Sequence, residues 1–138
     1  MNADGSGLKQ ITSTPESELS PIVSPDGKQM AYPNIEAKPP RVEIAPLEVF
    51  EPVKTFVPCP TCGLGSWSPD GRSIVYVDTS KDGVGNLWAQ PISGGQPKKL
   101  TTFTSEQIYG FAYSRDGKQI ALSRGTATSD VLLYTNIK

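Results

Sequence analysis

The 138 residues are enough for one domain with a single core and too few for two domains of ordinary size. The chain carries 13 Gly, 13 Pro and 36% apolar residues, a composition that favours short strands joined by tight turns over long helices. Its net charge of −1 argues against a nucleic-acid partner, and no apolar run approaches the roughly 20 residues that span a bilayer.

A nine-residue motif occurs three times, at 24–32, 68–76 and 114–122. Its aspartates lie 44 and then 46 positions apart. Each is followed by glycine, and the pairs are Asp26 and Gly27, Asp70 and Gly71, and Asp116 and Gly117. Glycine tolerates positive φ and aspartate bonds neighbouring backbone amides, so each copy predicts a strand, a tight turn and a second strand. We therefore interpret these six residues as structural turn residues.

Four strands are predicted in each period of the repeat. In chain order the predicted strands are an isolated one at 8–12, then 19–24, 29–33, 41–47 and 53–57, then 64–68, 73–78, 86–92 and 98–101, and finally 108–114, 119–123 and 130–135. The segment 33–40 is rich in proline where a short hairpin is usual, so we expect the outer half of the first repeat to be irregular.

Four short antiparallel strands per period are typical of a β-propeller blade, so we predict an all-β fold. Residues 1–138 would form one partial propeller, with an outer strand at 8–12, blade one at 18–57, blade two at 63–101 and blade three at 107–137 without its outer strand. Three blades are too few for a ring. We expect a homodimer with a six-bladed ring, in which the N-terminal strand of each copy completes the last blade of the other. A fragment of a longer propeller is the alternative.

Segments 2–12 and 67–71 resemble the WD40-like (PD40) repeats of TolB-type propellers. Segments 85–95 and 123–133 are similar to the C-terminal propellers of bacterial serine/threonine kinases and transcriptional regulators. The resemblance implies a protein-binding role, because TolB-type propellers dock peptidoglycan-associated lipoprotein in the periplasm. It carries over no site residue to this chain.

Few residues offer catalytic or metal chemistry. The chain has no histidine, which removes the Ser/His and Cys/His nucleophile arrangements. Cys59 and Cys62 form a CxxC motif that we interpret as a loop pair, either free thiols or a disulfide, because zinc would need more ligands. Asp78, Ser80 and Asp82 resemble the start of a calcium loop that lacks its closing glutamate, so a plain hairpin is favoured. We predict no cofactor.

The sequence thus predicts a non-catalytic binding or scaffold propeller that mediates protein–protein interaction, such as a sensor module of a larger bacterial protein. Its expected partners are a second copy of the chain and an unidentified protein or peptide. The alternative is a propeller enzyme, a hydrolase or lyase, with a ligand or calcium ion in the central channel. No signal peptide is visible at the N-terminus, so the compartment is periplasmic if the chain belongs to a larger exported protein and cytoplasmic if it is made alone.

Overall fold

The computed structural model describes residues 4–8, 10, 20–49, 51–57, 64–79 and 82–128. Among the predicted features, the strand at 130–135, most of the strand at 8–12, Cys59, Cys62 and Ser80 lie outside these residues. Within the described ranges, no helix has the length and apolar character needed to cross a membrane.

Ten strands make up the regular structure of the described residues, and they form three antiparallel sheets. The first sheet has the order β1-β2-β3-β4, the second β5-β6-β7-β8, and the third pairs β9 with β10. The strands are β1 Ile22–Val23, β2 Gln29–Asn34, β3 Arg41–Pro46, β4 Lys54–Phe56, β5 Leu64–Trp67, β6 Ser73–Asp78, β7 Asn86–Pro91, β8 Lys98–Lys99, β9 Gln107–Tyr113 and β10 Ile120–Gly125. The predicted all-β fold with four-stranded antiparallel sheets is confirmed.

The first sheet departs from the predicted pattern in two places. Strand β1 begins only at Ile22, because Ser20 has a left-handed φ of 46° and Pro21 has no N–H to donate. The expected irregularity of the outer half is wrong, since β2 and β3 pair without interruption from Gln29 opposite Pro46 to Asn34 opposite Arg41. Between these two strands the chain passes through residues 35–40 without regular structure.

A buried polar network closes this proline-rich connection. Asn34 and Glu43 are both buried, and the Asn34 side-chain amide donates to the Glu43 carboxylate at 3.2 Å. Arg41 donates to the same carboxylate from Nε and Nη2, both at 2.7 Å. The Ala37 amide donates to Asn34 Oδ1 at 3.0 Å. A buried carboxylate is tolerated here because it is paired and hydrogen-bonded.

The first and second sheets pack face to face around an apolar core. Ala31 and Ile44 of the first sheet share this core with Trp67 and Ile74 of the second. The indole N–H of Trp67 also donates to the backbone carbonyl of Ile22 at 3.1 Å, which ties β5 to β1. Apolar burial and one directed hydrogen bond therefore fix the relative position of these two sheets.

The third sheet packs on the face of the second sheet that points away from the first sheet. Val75 and Leu87 lie in one core with Ile108, and Phe111 packs against its side. The Phe111 ring lies directly over Gly65, where a Cβ atom would come within 2.6 Å of it. Strand β5 of the second sheet contacts β1 of the first sheet and β9 of the third. The three sheets thus follow one another with their first strands on the same side.

Candidate functional site

The three Asp-Gly turns share one hydrogen-bond pattern. In the first, the Ser24 hydroxyl donates to Asp26 at 2.6 Å, the Lys28 amide donates to the same carboxylate at 3.1 Å, and the Ser24 hydroxyl accepts from the Gln29 amide at 2.9 Å. The same contacts recur around Asp70 and Asp116. The serine hydroxyl and the amide stabilise the charged carboxylate, so the pKa of each of these turn aspartates lies below its usual value.

These turns also stack on one another along one end of the sheets. Pro25 of the first turn faces Gly71 of the second, where a Cβ atom would lie 3.7 Å from Pro25 Cδ. Pro69 of the second turn faces Gly117 of the third more closely, and a Cβ atom there would lie 2.5 Å from Pro69 Cβ. The turn residues that the sequence singled out are therefore part of the contact between sheets as well as of each hairpin.

A cleft of about 470 Å³ opens at the other end of the second sheet. It is bounded by the end of β6, the turn before β7, the strands β7 and β8, and the segment that follows β8. The lining residues are Asp78, Asp82, Val84, Asn86, Trp88, Lys99, Thr102, Phe103 and Thr104. This volume falls in the range of roughly 300 to 1,000 Å³ that is usual for ligand pockets.

Asn86 fixes the wall of this cleft that follows β8. Its side-chain oxygen accepts from the Phe103 amide at 2.8 Å and from the Thr101 hydroxyl at 3.0 Å. Its side-chain nitrogen donates to the Phe103 carbonyl at 3.2 Å. The Thr101 hydroxyl in turn accepts from the Leu87 amide at 2.9 Å. One buried asparagine thus holds a segment without regular structure against the first residues of β7.

Arg124 of the third sheet holds the same wall from the other side. Its guanidinium carbon lies 3.5 Å from the centre of the Phe103 ring. Arg124 Nη2 also donates to the Ser105 carbonyl at 2.8 Å and lies 3.4 Å from the Glu106 carboxylate. The Gly85 amide donates to the Glu106 carbonyl at 2.9 Å. The wall is therefore anchored to two sheets, which gives the cleft a preformed shape.

Among the described lining residues, one tryptophan, two aspartates and one lysine give the cleft its chemical character. Lys99 Nζ lies 5.8 Å from the centre of the Trp88 ring, within the range of a cation–π contact. Asp78 and Asp82 line the same cleft. Burial, together with the negative charge of Asp78, raises the pKa of the Tyr76 hydroxyl. Two of the three calcium candidates are thus near each other, although the described residues contain no group of three or more carboxylate or thiol side chains placed to hold a metal.

One face of the third sheet is exposed where its counterparts are covered. Ala31 and Val75, five residues after the aspartate of their motifs, are 0% and 1% exposed, whereas Ala121 at the same position is exposed. Ala112, directly opposite Ala121, and Ser123 are exposed as well. Tyr109 lies at the bulge of β9 and is 56% exposed. We call Tyr109, Ala112, Ala121 and Ser123 the open face.

Two solved structures share this arrangement of sheets. TolB from Acinetobacter baumannii is 28% identical with a TM-score of 0.59, over 84% of this chain and 29% of that one. A protein assigned as TolB from Agrobacterium tumefaciens is 24% identical with a TM-score of 0.56, over 78% of this chain and 38% of that one. The fold is that of a TolB-type β-propeller. No family model matches the chain.

The sheets can therefore be described as blades of the TolB type, with β1, β5 and β9 as their first strands. The chain spans 29% to 38% of the length of these two TolB structures.

Sequence reasoning identified the turns and two acidic residues of the cleft. It did not predict that Asn86, Trp88 and Lys99 line one cleft, because nothing in their spacing shows that the segment after β8 folds back onto the start of β7.

Proposed function

We propose that this chain is a non-catalytic protein-binding propeller module and that its open face is a contact surface. The observation that carries the proposal is the exposure of Ala121, whose counterparts Ala31 and Val75 are covered by the following blade. A sheet face made of small residues and one tyrosine allows another sheet to approach closely. The TolB-type fold supports this role, because the resemblance implies a propeller that binds protein.

The partner that we propose for this face is a second copy of the chain. Val23 of β1 stands at the motif position of Trp67, the residue through which the second blade holds the first, and it is 54% exposed. Met30 and Tyr32, on the next strand, are already buried. In a ring made of two copies, β1 would therefore make the contact with the open face. The exchange of the strand at 8–12 between copies stays a prediction.

If the chain is a sensor module of a longer bacterial protein, we propose that the module docks through the same open face. The rest of that protein would then supply the neighbouring blade or the signalling domain. This finer role rests on the resemblance to bacterial propellers and on the exposure of the open face.

Light scattering after size-exclusion chromatography tests the second copy directly. We expect twice the 14.8 kDa of one chain, persisting through a dilution series. Ser123→Arg places a charge on the open face and should give the single-chain mass, whereas Ser93→Arg, at an exposed turn of the second blade, should keep the double mass. A single-chain mass for the unmodified protein at every concentration would sink the proposed partner.

A further inference from the structure

We propose that the cleft bounded by Trp88, Asp82 and Lys99 binds the cationic side chain, arginine or lysine, of a basic protein segment. The inference rests on the proposed function in one respect, namely that the ligand is a protein. It concerns a different surface from the open face, and neither site needs the other to be occupied.

The first argument is that the cleft already accommodates a cation. Lys99 Nζ lies over the Trp88 ring at 5.8 Å from its centre. The face of an indole ring carries the negative end of its quadrupole, and a guanidinium group stacks on such a ring more favourably than an ammonium group. An incoming arginine would therefore compete with Lys99 for a position that the protein itself shows to be favourable for positive charge.

The second argument is the balance of charge in the lining. Among the described residues that line the cleft, Asp78 and Asp82 are acidic and Lys99 is basic. When a ligand cation displaces Lys99 from the ring, the lysine side chain can extend into solvent because its residue is exposed. The acidic lining residues, Asp82 in particular, then favour the ligand cation without competition from the Lys99 ammonium group. An anionic ligand would instead be repelled by the acidic residues of the lining and is disfavoured.

The third argument is that the walls are fixed before the ligand arrives. The Asn86 side chain donates one hydrogen bond to the segment after β8 and accepts two from it, and Arg124 stacks on Phe103 of the same segment. A preformed site avoids the entropy of ordering a loop on binding. Thr102 and Thr104 of this wall also line the cleft and offer hydroxyl groups to the backbone of a bound peptide.

The test is isothermal titration calorimetry with three uncharged-ended tripeptides: acetyl-triarginine amide, acetyl-trilysine amide and acetyl-triglutamate amide. We expect the triarginine peptide to bind most tightly, the trilysine peptide more weakly, and the triglutamate peptide without measurable heat. The affinity for triarginine should fall as salt is raised, because exposed charges are screened.

Variants locate the binding in the cleft. Asp82 has a φ of 55°, a conformation that asparagine tolerates, so Asp82→Asn removes the charge and keeps the turn. We expect it to weaken triarginine binding by about threefold to tenfold. Glu51→Gln removes the same charge at an exposed residue outside the cleft lining and should change the affinity by less than about twofold.

Lys99 gives the sharpest readout because the change should strengthen binding. Lys99→Gln removes the internal competitor and should raise the affinity for triarginine by about threefold. Lys98→Gln, its neighbour in β8, removes the same net charge but does not line the cleft, so it is the matched control. Equal effects of the two lysine variants, or equal binding of the triglutamate peptide, would overturn the inference. The open face is tested by molar mass and the cleft by peptide binding, so either proposal can fail without affecting the result for the other.

Discussion

The stacking of the Asp-Gly turns can be measured with one substitution made at three equivalent positions. Gly27, Gly71 and Gly117 have φ values of 70°, 68° and 69°, so alanine meets the same backbone strain at each. A non-glycine residue in this left-handed region costs roughly 1 to 2 kcal/mol. Only the surroundings differ, because a Cβ atom at the first position has nothing within 4 Å, whereas at the third it would lie 2.5 Å from Pro69 Cβ.

The expected costs follow from these surroundings. Gly27→Ala should lower the free energy of unfolding by about 1 kcal/mol. Gly71→Ala should cost the same, because the added methyl group reaches Pro25 at 3.7 Å, an ordinary van der Waals distance. Gly117→Ala should cost about 2 to 4 kcal/mol, because forcing apart a well-packed contact adds about 1 to 3 kcal/mol to the backbone strain. The effect of alanine on the unfolded chain is the same in all three variants and cancels.

Equilibrium urea unfolding is the appropriate assay. For an m-value of about 2 kcal/mol/M, the midpoint of Gly117→Ala should lie roughly 0.5 to 1.5 M below that of Gly27→Ala, with m unchanged. Three equal midpoints would refute the close contact between the second and third turns. A larger loss at Gly27 than at Gly117 would contradict the order of the blades in the stack.

Three further predictions concern contacts between and within blades. Trp67→Phe removes the hydrogen bond to the Ile22 carbonyl and should cost about 1 to 3 kcal/mol in urea unfolding. Asn86→Ala leaves the Phe103 amide and carbonyl without their partner and should cost about 2 to 4 kcal/mol, whereas the exposed Gln96→Ala should be nearly neutral. The turn aspartates have folded pKa values below the usual 3.8, so their stabilisation is complete above that pH and is lost as the pH falls below it. Urea midpoints measured from about pH 5 down to about pH 2.5 should decline, and a midpoint that rises over this interval would contradict the assigned hydrogen bonds.

Much of the fold could be predicted because the repeat supplies local information. Each Asp-Gly pair specifies a hairpin through contacts that span five residues or fewer, such as the Ser24 hydroxyl with Asp26 and Gln29. The alternation of apolar residues then predicts which residues face the core. The proline-rich connection misled this reasoning, because the buried Glu43 that stabilises it bonds Asn34, nine positions away, across two strands.

The candidate site could be predicted only in part. Asp78 and Asp82 attracted attention as a broken calcium pattern, and the structure places both in the lining of the cleft. Trp88 lies on a strand, yet it is only partly buried and has Lys99 Nζ over its ring. A residue on a strand can face a core or a cleft, and the sequence pattern is similar in both cases.

The sequence by itself determined the all-β class, the repeat and its turns, because hairpins depend on local backbone conformation and on side chains a few positions apart. Only the tertiary structure decided which sheet faces are covered. Ala31, Val75 and Ala121 occupy the same position of the repeat, yet Ala31 packs against the second sheet, Val75 packs against the third sheet, and Ala121 is exposed. The cleft was decided in the same way, because Asn86 and Arg124 reach its wall from different blades through contacts 15 or more residues apart.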